Sequence, residues 1–207
     1  MIGLIPKNSR QLFIAGPVGR LDCLELKPTG EITGVAIVCH PDPKGGGTYT
    51  NKIVQTIAKT LNQFGYICYC PNLRGVGESE GDHDFGVGEV DDIQSVYQFI
   101  RQDYPDLPLV LAGFSFGTSV VSQFAMRGIA HKKLLLVGPA VTRCPVAVPN
   151  AQKTIVIHGE LDEIIPLSDV MEWARGYSIP IICYPDTGHF FHGKLVSLQN
   201  LLANFAW

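Results

Sequence analysis

No stretch of this chain stays apolar for the ~18 residues that a membrane-spanning helix needs, so a bilayer is not expected as a partner. Runs of lysine and arginine are missing, as is any aromatic-plus-arginine platform. With 16 basic against 19 acidic residues the net charge is only −3, and nucleic acid is not an expected partner either. Met1–Lys7 has neither a basic n-region nor a long apolar h-region, so no secretory signal is read there. Cys-x-x-Cys and Cys/His ligand spacings are absent, although cysteines stand at 23, 39, 68, 70, 144 and 183. Most of these fall inside predicted strands, and Cys68 and Cys70 share one face of a strand, where neighbours seldom bridge. They read as small, reduced, buried residues, which fits a cytoplasmic protein without a metal. There is no internal repeat, low-complexity tract or linker. The 207 residues, 46% of them hydrophobic with a mean hydropathy of +0.17, therefore read as one domain over 1–207 with a sizeable core.

What is present is an alternation of short apolar runs and amphipathic stretches. Arg10–Ala15 and Arg20–Lys27 read as a hairpin around Gly16-Pro17-Val18-Gly19. The second of these strands alternates too imperfectly to assign its faces. Gly34–Cys39 is continuously apolar, as a strand buried on both faces should be. Tyr49–Phe64 has helical spacing, with Ile53, Ile57, Leu61 and Phe64 on one stripe. Further strands are read at Tyr66–Cys70, in the apolar run that starts at Leu109, and at Lys133–Gly138, Thr154–Ile157 and Ile179–Tyr184. Helices are read at Gly88–Tyr104, from Thr118 onward, at Leu167–Arg175 and at Phe191–Phe205. Such alternation predicts an α/β fold: a mostly parallel sheet with helices on both sides and an antiparallel edge from the opening hairpin.

The apolar run Leu109–Gly117 ends in Gly113-Phe114-Ser115-Phe116-Gly117 and is followed at once by a helix. A strand turning at once into a helix around a serine strains the serine backbone and lifts its hydroxyl clear of the sheet. Glycines fit on either side because a side chain there would collide where strand and helix nearly touch. The helix start also aims free N–H groups toward the serine, where negative charge can develop.

In such a sheet the functional groups gather beyond the carboxyl ends of the strands. Those ends carry His40-Pro41-Asp42-Pro43, Asn72-Leu73-Arg74-Gly75, Ser115, His158-Gly159-Glu160-Leu161-Asp162 and Pro185-Asp186-Thr187-Gly188-His189. Serine, acid and histidine thus follow one another, each past its own strand. A serine needs a neighbouring base to become a nucleophile, and the base needs a third group to orient it. His192 rivals His189 as the base, one turn into the expected last helix, lining a pocket or facing solvent. Glu163 and Asp186 rival Asp162 as the acid. His40 and His158 read as structural hydrogen-bonders, Arg74 as a loop-bracing ion-pair residue, and His83 and His131 as exposed polar positions.

Over nearly its whole length the chain resembles an α/β-hydrolase of the small lidless kind, similar to dienelactone hydrolase. The matching motifs are Gly-x-Ser-x-Gly at 113–117, His158-Gly159-x-x-Asp162-x-x-x-Pro166, and Gly188-His189 before the last helix. The loop Asn72-x-Arg74-Gly75-x-Gly77-x-Ser79 also resembles a family loop, although Asp is commoner at the Asn72 position. An uncharacterised group of small bacterial hydrolases shares the His-Pro-x-Pro and Gly-Gly loop.

The resemblance implies a three-layer sheet of about eight strands without a cap domain, since Pro139–Gln152 is too short for one. It implies Ser115 as nucleophile, His189 as general base and later acid, and Asp162 as the group that orients His189. The oxyanion hole would be two backbone N–H groups, from Phe116 and Asp42. Independently of any family, Pro41 and Pro43 have no N–H, so Asp42 is the one donor of that short loop. Pro41 replaces a commoner glycine and stiffens the loop. An open site bounded by Phe114, Phe116, Phe190 and Phe191 is expected, although one of Phe190 and Phe191 is expected to be a core residue anchoring the last helix; His40, Phe114, Phe190 and His192 are the pocket candidates. The expected partner is a small or medium acyl substrate, or an exposed ester on something larger, with no cofactor, and a Tyr/Phe-bearing edge strand offers a surface for a homodimer. Halide displacement is disfavoured, because relatives doing that chemistry carry Asp in place of Ser115.

Overall fold

The continuously apolar runs form the middle of an eight-stranded sheet in the computed structural model, which describes residues 8–207. The reading of Met1–Lys7 lies outside the described residues. The strands are β1 (Ser9–Gly16), β2 (Gly19–Leu26), β3 (Gly34–Cys39), β4 (Tyr66–Pro71), β5 (Leu109–Phe114), β6 (Lys133–Val137), β7 (Thr154–Gly159) and β8 (Ile181–Tyr184). Their order is β1-β2-β4-β3-β5-β6-β7-β8. The β1–β2 hairpin joins β4 antiparallel, and every later pairing is parallel. Because β3 lies between β4 and β5, the loops after β3 and β5 leave the same sheet end side by side, the place where α/β sheets put their sites.

Two apolar layers cover the sheet. One face takes Ile53, Ile57 and Leu61 of α1 (Lys52–Gln63) and Leu198 and Leu202 of α5 (Leu195–Ala203), against Val38, Cys68 and Ala112. The other takes α2 (Gly88–Asp103), α3 (Phe116–Ala125) and α4 (Leu167–Tyr177), with Ile93, Val96, Val120, Phe124 and Val170 buried. Each such side chain contributes about 1.5–3 kcal/mol by leaving water. β2 resisted assignment because it is covered on both sides. Leu21 and Cys23 enter one layer and Leu24 and Leu26 the other. Its polar residues are paired instead, Glu25 with Arg10 at 2.7 Å and Asp22 with Asn72 at 2.8 Å. Cys68 and Cys70 do share a face; all six thiols are free, and Cys183 is exposed.

Several element ends shift by one to four residues from the sequence reading, and three of the shifts have a clear local reason. α1 begins at Lys52 rather than Tyr49, because the Asn51 side chain accepts the N–H groups of Ile53 and Val54 and caps it there. β8 begins at Ile181 rather than Ile179. Ser178 takes a left-handed conformation that closes α4, and Ile179 N–H turns back to the Ala174 carbonyl. The last helix begins at Leu195 rather than Phe191. Residues 188–194 are a turn in which Phe191 has φ of 51° and its N–H reaches the Gly188 carbonyl. Among the described residues no helix is long and apolar enough to cross a membrane.

Candidate active site

Ser115 has φ of 52° and ψ of −120°, a conformation costly for a residue with a side chain. It is held by a hydrogen bond from its N–H to the Val137 carbonyl, 3.0 Å, and by two on its carbonyl from the Thr118 N–H and hydroxyl. The glycines make the turn possible. A Cβ at Gly113 would overlap the Gly117 backbone, and one at Gly117 would lie 2.5 Å from the Cys39 carbonyl oxygen. The hydroxyl is thereby placed at the first turn of α3.

The loop after β8 returns His189 to it. His189 Nε2 lies 2.9 Å from Ser115 Oγ, and Nδ1 lies 2.7 Å from Asp162 Oδ2. An ionised Asp162 can only accept, so Nδ1 carries the proton and Nε2 accepts from the serine hydroxyl. The ring lies between Phe114 and Phe190, at centroid separations of 5.0 and 5.2 Å. Asp162 is fixed in turn: its Oδ1 accepts the N–H groups of Ile164 and Ile165 at 2.9 and 2.8 Å. Burial pushes its pKa up, but the hydrogen bond with His189 and those two N–H groups outweigh burial and hold it below the usual carboxylate value. Under it, His158 lies fully buried with Nε2 2.9 Å from the Ile165 carbonyl and 3.4 Å from Asp162 Oδ2. Burial lowers the His158 pKa against the opposing pull of Asp162, so it braces the acid loop as a neutral ring.

The rival residues are elsewhere. Glu163 Oε2 accepts the His189 N–H at 3.2 Å, so it steadies the histidine backbone rather than the ring. The Asp186 side chain is exposed. His192 is exposed and, like Phe190, lines a neighbouring hollow of about 380 Å³ beside the first turn of α1.

A cavity of about 150 Å³ opens above Ser115, with His189, Phe190 and Ile164 on one side and Asp42, Gly45–Gly47 and Arg143 around the rest. Asp42 lines this cavity, and Phe116 directly follows Ser115. Phe116 opens α3, where the first N–H groups have no partner within the helix. Asp42 sits in the loop after β3; its side chain caps the turn Pro43–Gly45 by accepting the Lys44 N–H at 2.9 Å, and its carbonyl accepts from Gly45 and Gly47. A larger hollow of about 500 Å³ lies along α4 and β8, lined by Met171, Ile181 and Cys183 and by none of these groups.

Several pocket candidates fall outside this cavity. Phe114 is fully buried under the His189 ring, and Phe191 is fully buried in the layer beneath α1 and α5, so neither bounds the opening. The Phe116 side chain packs inward against His83 at 5.3 Å. His40 is fully buried. Its Nδ1 donates to the Pro41 carbonyl at 2.7 Å and its Nε2 accepts the Leu73 N–H at 3.0 Å, which leaves nothing for a substrate. Burial pushes its pKa down to about 4. His83 and His131 are not exposed as expected. His83 Nδ1 lies 2.7 Å from the buried Glu89, and His131 is tucked against the Ile129 carbonyl. Arg74 does brace its loop, with a buried bidentate pair to Asp92 at 2.8 and 3.1 Å. Arg143 and Ile164 were not found from the sequence; both stand in irregular segments without periodicity or motif.

Known proteins agree with this architecture. The chain is similar to an α/β serine hydrolase without lid from Xanthomonas campestris, with 36% identity and a TM-score of 0.88 over 96% of this chain and 94% of that one. It is 31% identical to an uncharacterised protein of Rickettsia prowazekii, over 78% of this chain and 71% of the relative. It is 25% identical to a monoacylglycerol lipase of Mycolicibacterium smegmatis, over 81% of this chain but only 60% of that lipase. The family model described as serine aminopeptidase, S33, matches residues 30–180. The chain belongs to that family and, through it, to the α/β-hydrolase superfamily.

Proposed function

We propose that the protein hydrolyses a carboxylic ester or related acyl bond of a small or medium substrate through an acyl-enzyme on Ser115. The observation that carries the reading is the unbroken chain from Ser115 Oγ through His189 to Asp162, at 2.9 and 2.7 Å, with the hydroxyl facing a cavity. As Ser115 Oγ adds to the substrate carbonyl carbon, its proton passes to His189 Nε2, and Asp162 stabilises the resulting imidazolium. The oxyanion takes hydrogen bonds from the N–H groups of Phe116, at the first turn of α3, and Asp42, on the cavity wall. On collapse the bond to the leaving group breaks, and His189 hands its proton to that group. Water, deprotonated by His189, then attacks the acyl-enzyme and releases the acid and the free serine.

The cavity of about 150 Å³ is small beside the ~300–1,000 Å³ of pockets for drug-sized ligands, which favours a short acyl group. Thioesters, lactones and short peptides use the same machinery and differ in the leaving group. A monoacylglycerol lipase among the relatives supports an oxygen ester. A fluorophosphonate probe tests the reading. It should label the wild-type protein on Ser115 and leave Ser115→Ala unlabelled. A folded wild-type protein that never labels would mean a binding module on a hydrolase fold.

A further inference from the structure

Arg143 is the cationic side chain on the wall of the Ser115 cavity. Its guanidinium is exposed, and among the described residues it has no ion pair and no hydrogen-bond partner. The other cations nearby are occupied or stand apart. Arg74 is locked on Asp92, the Lys44 ammonium lies over the Phe85 ring at 4.2 Å, and Lys52 lines the separate hollow by α1. The acidic group on the same wall, Asp42, is turned back to cap its own turn and does not pair with Arg143.

The segment that carries Arg143 is irregular but firmly placed. Thr118 Oγ1 accepts the Ala140 N–H, Ser119 Oγ and Gln123 Nε2 donate to the Pro145 carbonyl, Ser122 Oγ accepts the Ala147 N–H, and Trp173 Nε1 donates to the Val146 carbonyl. Five side chains of α3 and α4 thus hold a short segment in the position where a cap would otherwise begin, and present one arginine to the cavity. A guanidinium recognises a carboxylate through two parallel N–H···O bonds, which fixes direction as well as charge.

We infer that Arg143 selects substrates bearing a carboxylate a few atoms from the scissile carbonyl. This inference rests on the hydrolase reading above and names its substrate class: a monoester of a short dicarboxylic acid, or an acyl ester of a short hydroxy acid. The apolar walls, Ile164 and Phe190, take the carbon chain, and the guanidinium takes the charged end.

The test compares two anionic esters with uncharged partners of similar length: monoethyl succinate against ethyl butyrate, and 3-acetoxypropanoate against propyl acetate. At least one anionic ester should have the higher kcat/KM by about tenfold, mainly through KM, the scale of a charge-assisted hydrogen bond. The pair that shows it tells whether the carboxylate belongs to the acyl or the alcohol half. Arg143→Gln should reduce that ratio about tenfold, Arg143→Lys should restore part of it, and added salt should weaken it in the wild type. Equal or lower kcat/KM for both anionic esters, or an unchanged ratio in Arg143→Gln, would overturn the inference. The uncharged esters and fluorophosphonate labelling report on the hydrolase reading by themselves. If they succeed without a carboxylate preference, only this inference falls; if both fail, the hydrolase reading falls and takes this one with it.

Discussion

His40 and His189 invite comparison. Each lies just past the end of a strand, each is at most 2% exposed, and each has both ring nitrogens engaged. At His40 both partners are backbone groups, Pro41 O and Leu73 N–H, and the ring is a rivet between the loops after β3 and β4. At His189 both partners are side chains, and the chain of hydrogen bonds ends on a hydroxyl open to a cavity. Burial and position along the strand do not separate the two. The last partner in the chain does: a closed network stabilises, while one ending in an open, strained serine has a proton to move.

The most severe way to break the comparison is at that last partner. Ser115→Ala should lower kcat on the order of 10⁶-fold, as removal of a nucleophile does in a comparable triad, with thermal stability kept. Residual turnover from the oxyanion hole and binding alone should stay far below the wild-type rate. Asp162→Asn should cost roughly 10⁴-fold, because the amide favours the wrong His189 tautomer, and a steady-state rate on a short ester checks it.

Asp42 offers a finer cut. Its φ of −51° already suits proline, so Asp42→Pro deletes the N–H with little change of backbone. A lost oxyanion donor costs about 10²–10³-fold in kcat. Asp42→Ala keeps the N–H and loses only the cap on Lys44 N–H, so it should cost less than tenfold. Equal losses in the two variants would shift the role from the backbone to the carboxylate.

The smallest effect on rate belongs to His40. Its folded-state pKa of about 4 lies below the ordinary 6.5, so the unfolded chain binds a proton that the folded one refuses. The stability from the neutral ring is therefore complete above pH 6.5 and fades as pH falls toward 4, by roughly 3 kcal/mol in all. Urea midpoints between pH 7 and 4 should fall more steeply in wild type than in His40→Gln, and the variant should keep its fluorophosphonate labelling. A pH dependence identical in the two proteins would remove His40 from that account.

Much of this was legible in the chain because the chemistry is tied to strand ends. β3 and β5 run where their apolar residues run, and Gly113 and Gly117 mark a turn that tolerates no side chain. Illegible features depend on partners distant in sequence. That one ring of the Phe190–Phe191 pair belongs to the core was legible; which one was not, because the 188–194 turn, rather than a helix, carries them. Apolar spacing does not register that turn. His83 and His131 looked like solvent-facing polar residues because Glu89 and the Ile129 carbonyl become their neighbours only in the fold. Arg143 carried no signal, since its segment has no period and its place is set by hydroxyls of α3.

The central claim is that Ser115 carries the acyl group in mid-reaction. Mixing the protein with p-nitrophenyl acetate, quenching in acid and weighing the intact protein tests it directly. The account predicts a single acetyl adduct, mapped to the peptide containing Ser115 and absent from Ser115→Ala. An adduct on a different residue, or ester turnover in Ser115→Ala at the wild-type rate, would contradict it.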